Sequence, residues 1–363
     1  MQSTTVNGIT LQYPDEPVMI FNIVPLRVSG TLARLRVAIG GHTVTYNTPN
    51  GGTVDIREWL QGQFTSLQMG GDLDYQQSLK ISEVGDDVAV TVTALDSGGS
   101  TIATFNLTLF CVWGAAWAGE TYNGHRTVTW FQNYPFTVGI YFPTASSTSI
   151  GVNSAPTTPV TINSPGVYNI NIDDANGGQY LTIWDIIGDL DPSTFDDVFD
   201  MTFCYILDGS QEEKIRIRLV DPMYDEGIYL RWIDRHGFWN YWLFKEGDGT
   251  RTVASKFGTW YRNELDKWEE HWQWQDDAGR RQSLTRNDVI PVCAPLVDQD
   301  TFDMLQDVTT SPCVDIYLGK DENDIPKWTA VTIEPGSYTK DVKKPEQDFL
   351  MNIIMPEIPV QTL

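Results

Sequence analysis

Gly227-Ile-Tyr-Leu-Arg-Trp-Ile-Asp-Arg-His-Gly-Phe-Trp-Asn-Tyr-Trp-Leu-Phe244 sets two runs of branched and aromatic residues on either side of Asp234-Arg-His-Gly237. Two such runs around a turn-forming tetrapeptide predict a β-hairpin. Side chains alternate along a strand, so Tyr229, Arg231 and Ile233 share one face of the first strand and Leu230 and Trp232 the other. The return strand puts Phe238, Asn240, Trp242 and Phe244 on one face and Trp239, Tyr241 and Leu243 on the opposite one. Both faces are partly apolar. A sheet with one wet face does not need that, so one face is expected to fill a core and the other to be covered by a neighbouring segment or subunit.

Outward from this hairpin, strand signals dominate. Leu35 to Ile39 and His42 to Tyr46 alternate around Gly40-Gly41, and Val88 to Leu95 and Thr101 to Trp113 alternate around residues 96–100, which predicts two more hairpins. Between them Ile56, Trp59, Leu60, Phe64 and Leu67 fall at helical spacing, with Asp55 and Glu58 spaced as an N-terminal cap. Later, Lys214 to Val220 alternates basic and apolar residues, Phe302, Leu305 and Val308 suggest a short helix, and strands are expected at 314–318, 327–333 and 349–354. The expected fold is mainly β, with two β-sandwich-like domains and a few short helices. Residues 144–159 are small, polar and turn-forming, and no Asp, Glu, Lys or Arg occurs between Arg126 and Asp173. The expected division is therefore an N-terminal domain 1–143, a linker or long loop 144–159 and a C-terminal domain 160–363.

Charge limits the partners. The 363 residues carry 48 acidic and 24 basic side chains, a formal net charge of −24, which opposes broad contact with phosphate backbones or anionic lipid. Nucleic acid and membranes are excluded as expected partners. Residues 1–172 hold 11 acids and 6 bases, which leaves 37 acids and 18 bases for the remainder. Met1 to Asn22 has no basic region and no continuous apolar run, so a signal peptide is not expected. Cys111, Cys204, Cys293 and Cys313 stand far apart without a CxxC pair and read as free thiols.

Catalytic chemistry finds little footing. His42, His125, His236 and His271 are scattered, and no HExxH, GxSxG, Walker or dinucleotide pattern occurs. Asp189, Asp191, Asp196, Asp197 and Asp200 resemble a calcium loop superficially, but Thr194 stands where the turn needs glycine and Asp200 where a bidentate Glu is needed, so an acidic loop is expected. No cofactor and no enzymatic activity are expected. The prominent feature is aromatic: seven of the thirteen tryptophans fall between Trp232 and Trp274. Trp232, Trp239, Trp242, Trp260, Trp272 and Trp274 are candidates for a glycan platform or a subunit contact, since indole faces stack on apolar sugar faces. Alternate rings filling a core are the competing reading.

The hairpin's Tyr-Leu-x-Trp-x4-Gly-x3-Tyr-Trp-Leu-Phe pattern, residues 229–244, resembles a segment of virion structural proteins from phages and prophages of Bacteroidetes-type bacteria. Tyr13-Pro-Asp-Glu-Pro17 with Phe21-Asn22, residues 113–120 (Trp113 to Glu120) and Asn133 to Val138 fit the same resemblance. Within that class the arrangement is similar to distal tail proteins, and Phe302 to Leu305, Ser311 to Val314 and Trp328 to Ile333 resemble strands and a helix of tail-tip components. The N-terminal domain differs from the better-known distal tail proteins. The resemblance implies a noncatalytic component that joins the tail tube to the adsorption apparatus at the tail tip or baseplate. It further implies other tail proteins as partners, a homo-oligomeric ring with hexamer as the suggested size, and a place in the virion after assembly in the host cytoplasm. A host surface glycan is a further partner to consider. The alternatives are a carbohydrate- or receptor-binding module, a capsid decoration protein, and a glycan-degrading enzyme with two carboxylates facing across a cleft.

Overall fold

The computed structural model describes residues 1–64, 79–117, 126–131, 133–152, 158–171, 198–206, 212–220, 227–255, 259–260, 280–281 and 284–356. The protein is mainly β, with several sheets and short helices. Two sheets form an N-terminal sandwich. One has the order Gln2–Val6, Ile9–Tyr13, Pro25–Ser29, Gly51–Asp55, and the other Val18–Met19, Thr101–Val112, Gly85–Leu95, Arg34–Ile39, His42–Asn47. Ile9, Leu11, Leu26 and Val28 from the first sheet and Leu35, Val37, Val92 and Phe105 from the second share one buried core. The Gly40-Gly41 turn has φ of 54° and 82°, backbone that favours glycine, and it sets Ile39 opposite His42.

The expected helix is shorter and differently capped. Arg57–Gln61 is α-helical and Gly62–Phe64 continues as a 3-10 turn, burying Leu60 and Phe64. Ile56 occupies the N-cap without a side-chain bond, while Asp55 ends a strand and its Oδ1 accepts from the N–H groups of Val24 and Arg57. The backbone N–H of Val24 lies within reach and competes for the carboxylate. Leu67 lies outside the described residues.

Beyond residue 112 the chain does not divide where composition suggested. Thr127–Phe131 runs parallel to Glu212–Val220, and Thr137–Phe142 pairs with Gly166–Asn171, which pairs in turn with Leu79–Ile81. Strands from before the expected boundary thus complete sheets with strands from after it. Within 144–159, where a linker was expected, Ser146–Val152 pairs with Thr158–Ile162 and with Val198–Ile206. Small uncharged residues fit a strand as well as a linker, and only the long-range pairing separates the two outcomes.

The largest sheet has the order Pro326–Ala330, Val314–Lys320, Gly227–Ile233, Trp239–Glu246, Leu284–Asp298, Glu346–Ile354, Thr332–Ile333, with Thr250–Ser255 also on Leu284–Asp298. The aromatic hairpin lies inside it, and both of its faces are buried within one chain. Tyr229, Ile233, Trp239, Tyr241 and Leu243 join a core shared with Val128, Trp130, Val138, Ile140, Phe142 and Ile217. Ile228, Leu230, Trp232 and Phe244 face the other way, into a core closed by the helix Gln299–Val308 through Phe302, Leu305 and Val308. Asp298 caps that helix by accepting from the Thr301 N–H at 2.7 Å. The covering element is therefore a segment of the same chain.

Trp232 has no exposed surface. Trp232→Ala should cost about 3 to 5 kcal/mol, the usual range for emptying a large aromatic site, and lower the chemical denaturation midpoint without changing its slope. A variant as stable as the parent would show that the helix does not close this core.

Candidate functional site

The polar centre of the protein is a residue that alternation placed on an apolar face. Arg231 sits between Tyr229 and Ile233 on the face that meets the shared core, and it is 2% exposed. Such a charge needs a partner. Register supplies one: Arg231 stands directly opposite Asp315 of the neighbouring strand. Its Nε donates to Asp315 Oδ2 at 2.9 Å, and a terminal guanidinium nitrogen meets the same oxygen at 2.9 Å. The guanidinium also stacks on two indoles, 4.6 Å from the Trp239 ring and 4.4 Å from Trp328. Weak hydration of guanidinium makes this placement tolerable where an ammonium would resist it.

Aromatic rings close around the pair. Tyr229 lies 6.0 Å from Tyr241 and 5.9 Å from Trp328, and Tyr317 lies 5.3 Å from Trp328. The two hairpin tyrosines reach polar partners on the segment before Thr137–Phe142 and at its start: Tyr229 donates to the Pro135 carbonyl at 2.9 Å, and the Tyr241 hydroxyl lies 2.7 Å from Thr137 Oγ1.

The hairpin turn is a second polar node. Asp234 Oδ1 accepts from the His236 and Phe238 N–H groups at 2.8 and 2.9 Å, and Oδ2 accepts from Asn240 Nδ2 at 2.8 Å. Burial alone would push the Asp234 carboxyl up, but the His236 imidazole, the Phe238 N–H and the charge of Arg126 together hold it below the usual carboxylate range. The turn also grips the N-terminal sandwich: the Arg235 carbonyl accepts from the N–H groups of both Ala115 and Ala116, at 2.7 and 2.9 Å. Gly237, with φ of 81°, lies so close to Val112 that a Cβ would meet its Cγ1 at 2.6 Å.

These placements answer the tryptophan reading residue by residue. Trp232 and Trp239 are 0% and 3% exposed, so neither stacks on a sugar or touches a second subunit; their rings fill two different cores. Trp242 is partly buried and meets Phe131 edge to face at 5.3 Å. The backbone of Trp260 belongs to a short strand paired with Arg280–Arg281, while Trp272 and Trp274 lie outside the described residues. Of the acidic loop, 189–197 also lies outside them, and Asp200 stands in a strand opposite Arg218.

No group of three or more His, Cys, Asp or Glu positioned to hold a metal occurs among the described residues. A cleft of about 350 Å³ is lined by Gln63, Phe64, Ile81, Ser82, Glu83, Gly85, Asp86 and Val88. Among the described residues no helix is long and apolar enough to cross a membrane. Cys111 and Cys313 are buried free thiols and Cys293 is a partly buried one; burial, helped by Glu16, Asp87 and Asp86, pushes the Cys111 thiol up to about 12.

No family model and no curated protein matches the chain. A solved structure of a protein of unknown function from Porphyromonas gingivalis W83 is similar over 58% of this chain and 96% of that one, at 9% identity and a TM-score of 0.15.

Sequence reasoning missed Asp315, Trp328 and the role of Asp234. The signal available was Arg231 itself, a lone cation in an apolar alternation, but its partners lie 84 and 97 residues away in sequence. Removing one partner of a buried pair typically costs about 3 to 5 kcal/mol, so Arg231→Met and Asp315→Leu should each lower stability by that order. The double variant should unfold at a higher denaturant midpoint than either single one. The Asp234 linkage has a definite sign. Its folded pKa lies below the unfolded value, so its stabilisation is present above about pH 4 and fades as pH falls through the folded value. Asp234→Asn should therefore lose less stability than the parent between pH 5 and pH 3.

Proposed function

We propose that the chain is a noncatalytic structural protein of a phage virion, positioned at the distal tail, tail tip or baseplate. The reading rests on the likeness of the Tyr229 to Phe244 pattern to virion proteins, and one observation about the fold supports it. That segment is devoted to cohesion: its rings and its one buried cation bind each other, two cores and the end of the N-terminal sandwich. Keeping its shape under load is what an adaptor between tail tube and adsorption apparatus requires. In this reading other tail proteins are the partners, and the N-terminal sandwich, drawn from the weakly charged part of the chain, mediates assembly into a closed ring, since interface cores are depleted in charge. A receptor- or glycan-binding role would have to use surfaces other than Trp232 and Trp239.

Cryo-electron microscopy of virions carrying a tagged copy should place the tag at the tail tip in a rotationally symmetric array. A tag on the capsid, or absent from virions, overturns the placement. Incubation with host surface glycans and peptidoglycan should give no turnover; turnover abolished by replacing a single carboxylate overturns the noncatalytic reading.

A further inference from the structure

The outer strand of the first N-terminal sheet lacks the protection that sheet edges normally carry. Gln2–Val6 is an edge strand, exposed at Gln2, Ser3, Thr4 and Thr5, and contains neither charge nor proline. Edges are usually guarded by Lys, Pro or a bulge, because their outward N–H and C=O groups recruit further strands. Two other outer strands are guarded, Pro326–Ala330 of the large sheet by Pro326 and Lys327 and Thr250–Ser255 by Arg251, whereas His42–Asn47 is, like Gln2–Val6, without Lys, Arg or Pro.

We infer that Gln2–Val6 pairs antiparallel with the same strand of a second copy, about a two-fold axis through Thr4. The register leads to this geometry. The two-residue turn Asn7-Gly8, with φ of 52° and 76°, sets Val6 opposite Ile9, Thr4 opposite Leu11 and Gln2 opposite Tyr13. Residues flanking such a turn exchange hydrogen bonds, so Val6, Thr4 and Gln2 bond inward while Ser3 and Thr5 direct N–H and C=O outward. An axis at Thr4 places each outward residue opposite its complement: Ser3 faces Thr5 of the other copy and Thr5 faces Ser3. Both outward residues then exchange two hydrogen bonds across the axis, and the two four-stranded sheets become one. A chain with a net charge of −24 repels its own copies, and the side chains of this strand carry no charge, while the Met1 amino group beside it is paired with Asp15. The contact is isologous, does not depend on the virion reading, and differs from the head-to-tail contact of a ring, with which it would combine in a dihedral assembly.

Thr4→Cys provides the test. Opposed residues of a non-hydrogen-bonded pair stand about 4.5 Å apart at Cα, within disulfide reach, whereas Ser3 and Ser3 of the other copy are two positions out of register. Under mild oxidation Thr4→Cys should form covalent dimers, and Ser3→Cys, Thr5→Cys and the parent should not. Thr5→Pro deletes an outward N–H that makes no bond within its own sheet, at the loss of the Thr5 Oγ1 contact with Thr10 Oγ1, so it should stay folded, melt within a few degrees of the parent at concentrations where the parent is itself monomeric, and sediment as a monomer where the parent is dimeric. A parent that stays monomeric at every concentration, equal cross-linking at all three positions, or unchanged dimerisation of Thr5→Pro overturns the inference. So does a Thr4→Cys variant that dimerises only through another uncharged edge, His42–Asn47, with no bond between the two introduced thiols.

Discussion

A hairpin with two apolar faces cannot rest on the outside of a protein, and the arrangement of the C-terminal two thirds of this chain follows from that constraint. Tyr229, Ile233, Trp239, Tyr241 and Leu243 demand one partner surface, and Leu230, Trp232 and Phe244 demand another. The first is met by sheets whose strands come from both sides of the hairpin in sequence, including Thr127–Phe131 and Thr137–Phe142. The second is met by a ten-residue helix and the strands that flank it. Burying Arg231 on the first face is costly alone, and it is offset by Asp315 and by two indole faces. The hairpin tip, left uncovered by these elements, meets the N-terminal sandwich. It does so through the Arg235 carbonyl and the close approach of Gly237.

The acidic excess takes on a local meaning in this frame. Asp96, Asp234, Asp298, Asp321 and Asp341 each accept a backbone N–H close in sequence, at a turn or a helix start. Turns leave donors without ladder partners, and a short carboxylate side chain satisfies them. Asp288 is held differently, between Arg251 and Arg286, and the hydrogen bond from Arg286 brings its carboxyl down to about 2. These carboxylates fix loops. That use explains how an acid-rich sequence can pattern like a metal-binding one at single positions without gathering ligands among the described residues.

For function, the decisive contrast is between a ring that is available and a ring that is spent. A sugar platform needs indole faces open to solvent, whereas Trp232 and Trp239 lie in two cores on opposite sides of one sheet. The Arg231 guanidinium, a group that elsewhere recognises carboxylates and phosphates, is likewise enclosed by its own chain. Neither indole nor the guanidinium is open to an outside ligand.

By itself the sequence determined what depends on near neighbours. Period-two alternation identified the hairpins at 34–47, 85–112 and 227–246, and the spacing of Phe302, Leu305 and Val308 identified the helix, because side-chain direction repeats along the chain. It even required that the second face of the aromatic hairpin be covered, since exposed alternation of that kind has no stable solution in water. Tertiary structure alone decided which elements did the covering. The neutral stretch 144–159 looks like a linker by composition, yet Ser146–Val152 within it is a strand that pairs with Thr158–Ile162 and with Val198–Ile206, the latter about fifty residues on in sequence. Asp55 accepts the Arg57 N–H at the helix start, as its spacing suggested, but that the same oxygen also takes the Val24 N–H was decided by tertiary approach. Arg231 could be read as needing an anion, but choosing Asp315 from an excess of acids required the strand order, because register between distant strands is set by the whole sheet and by no local pattern.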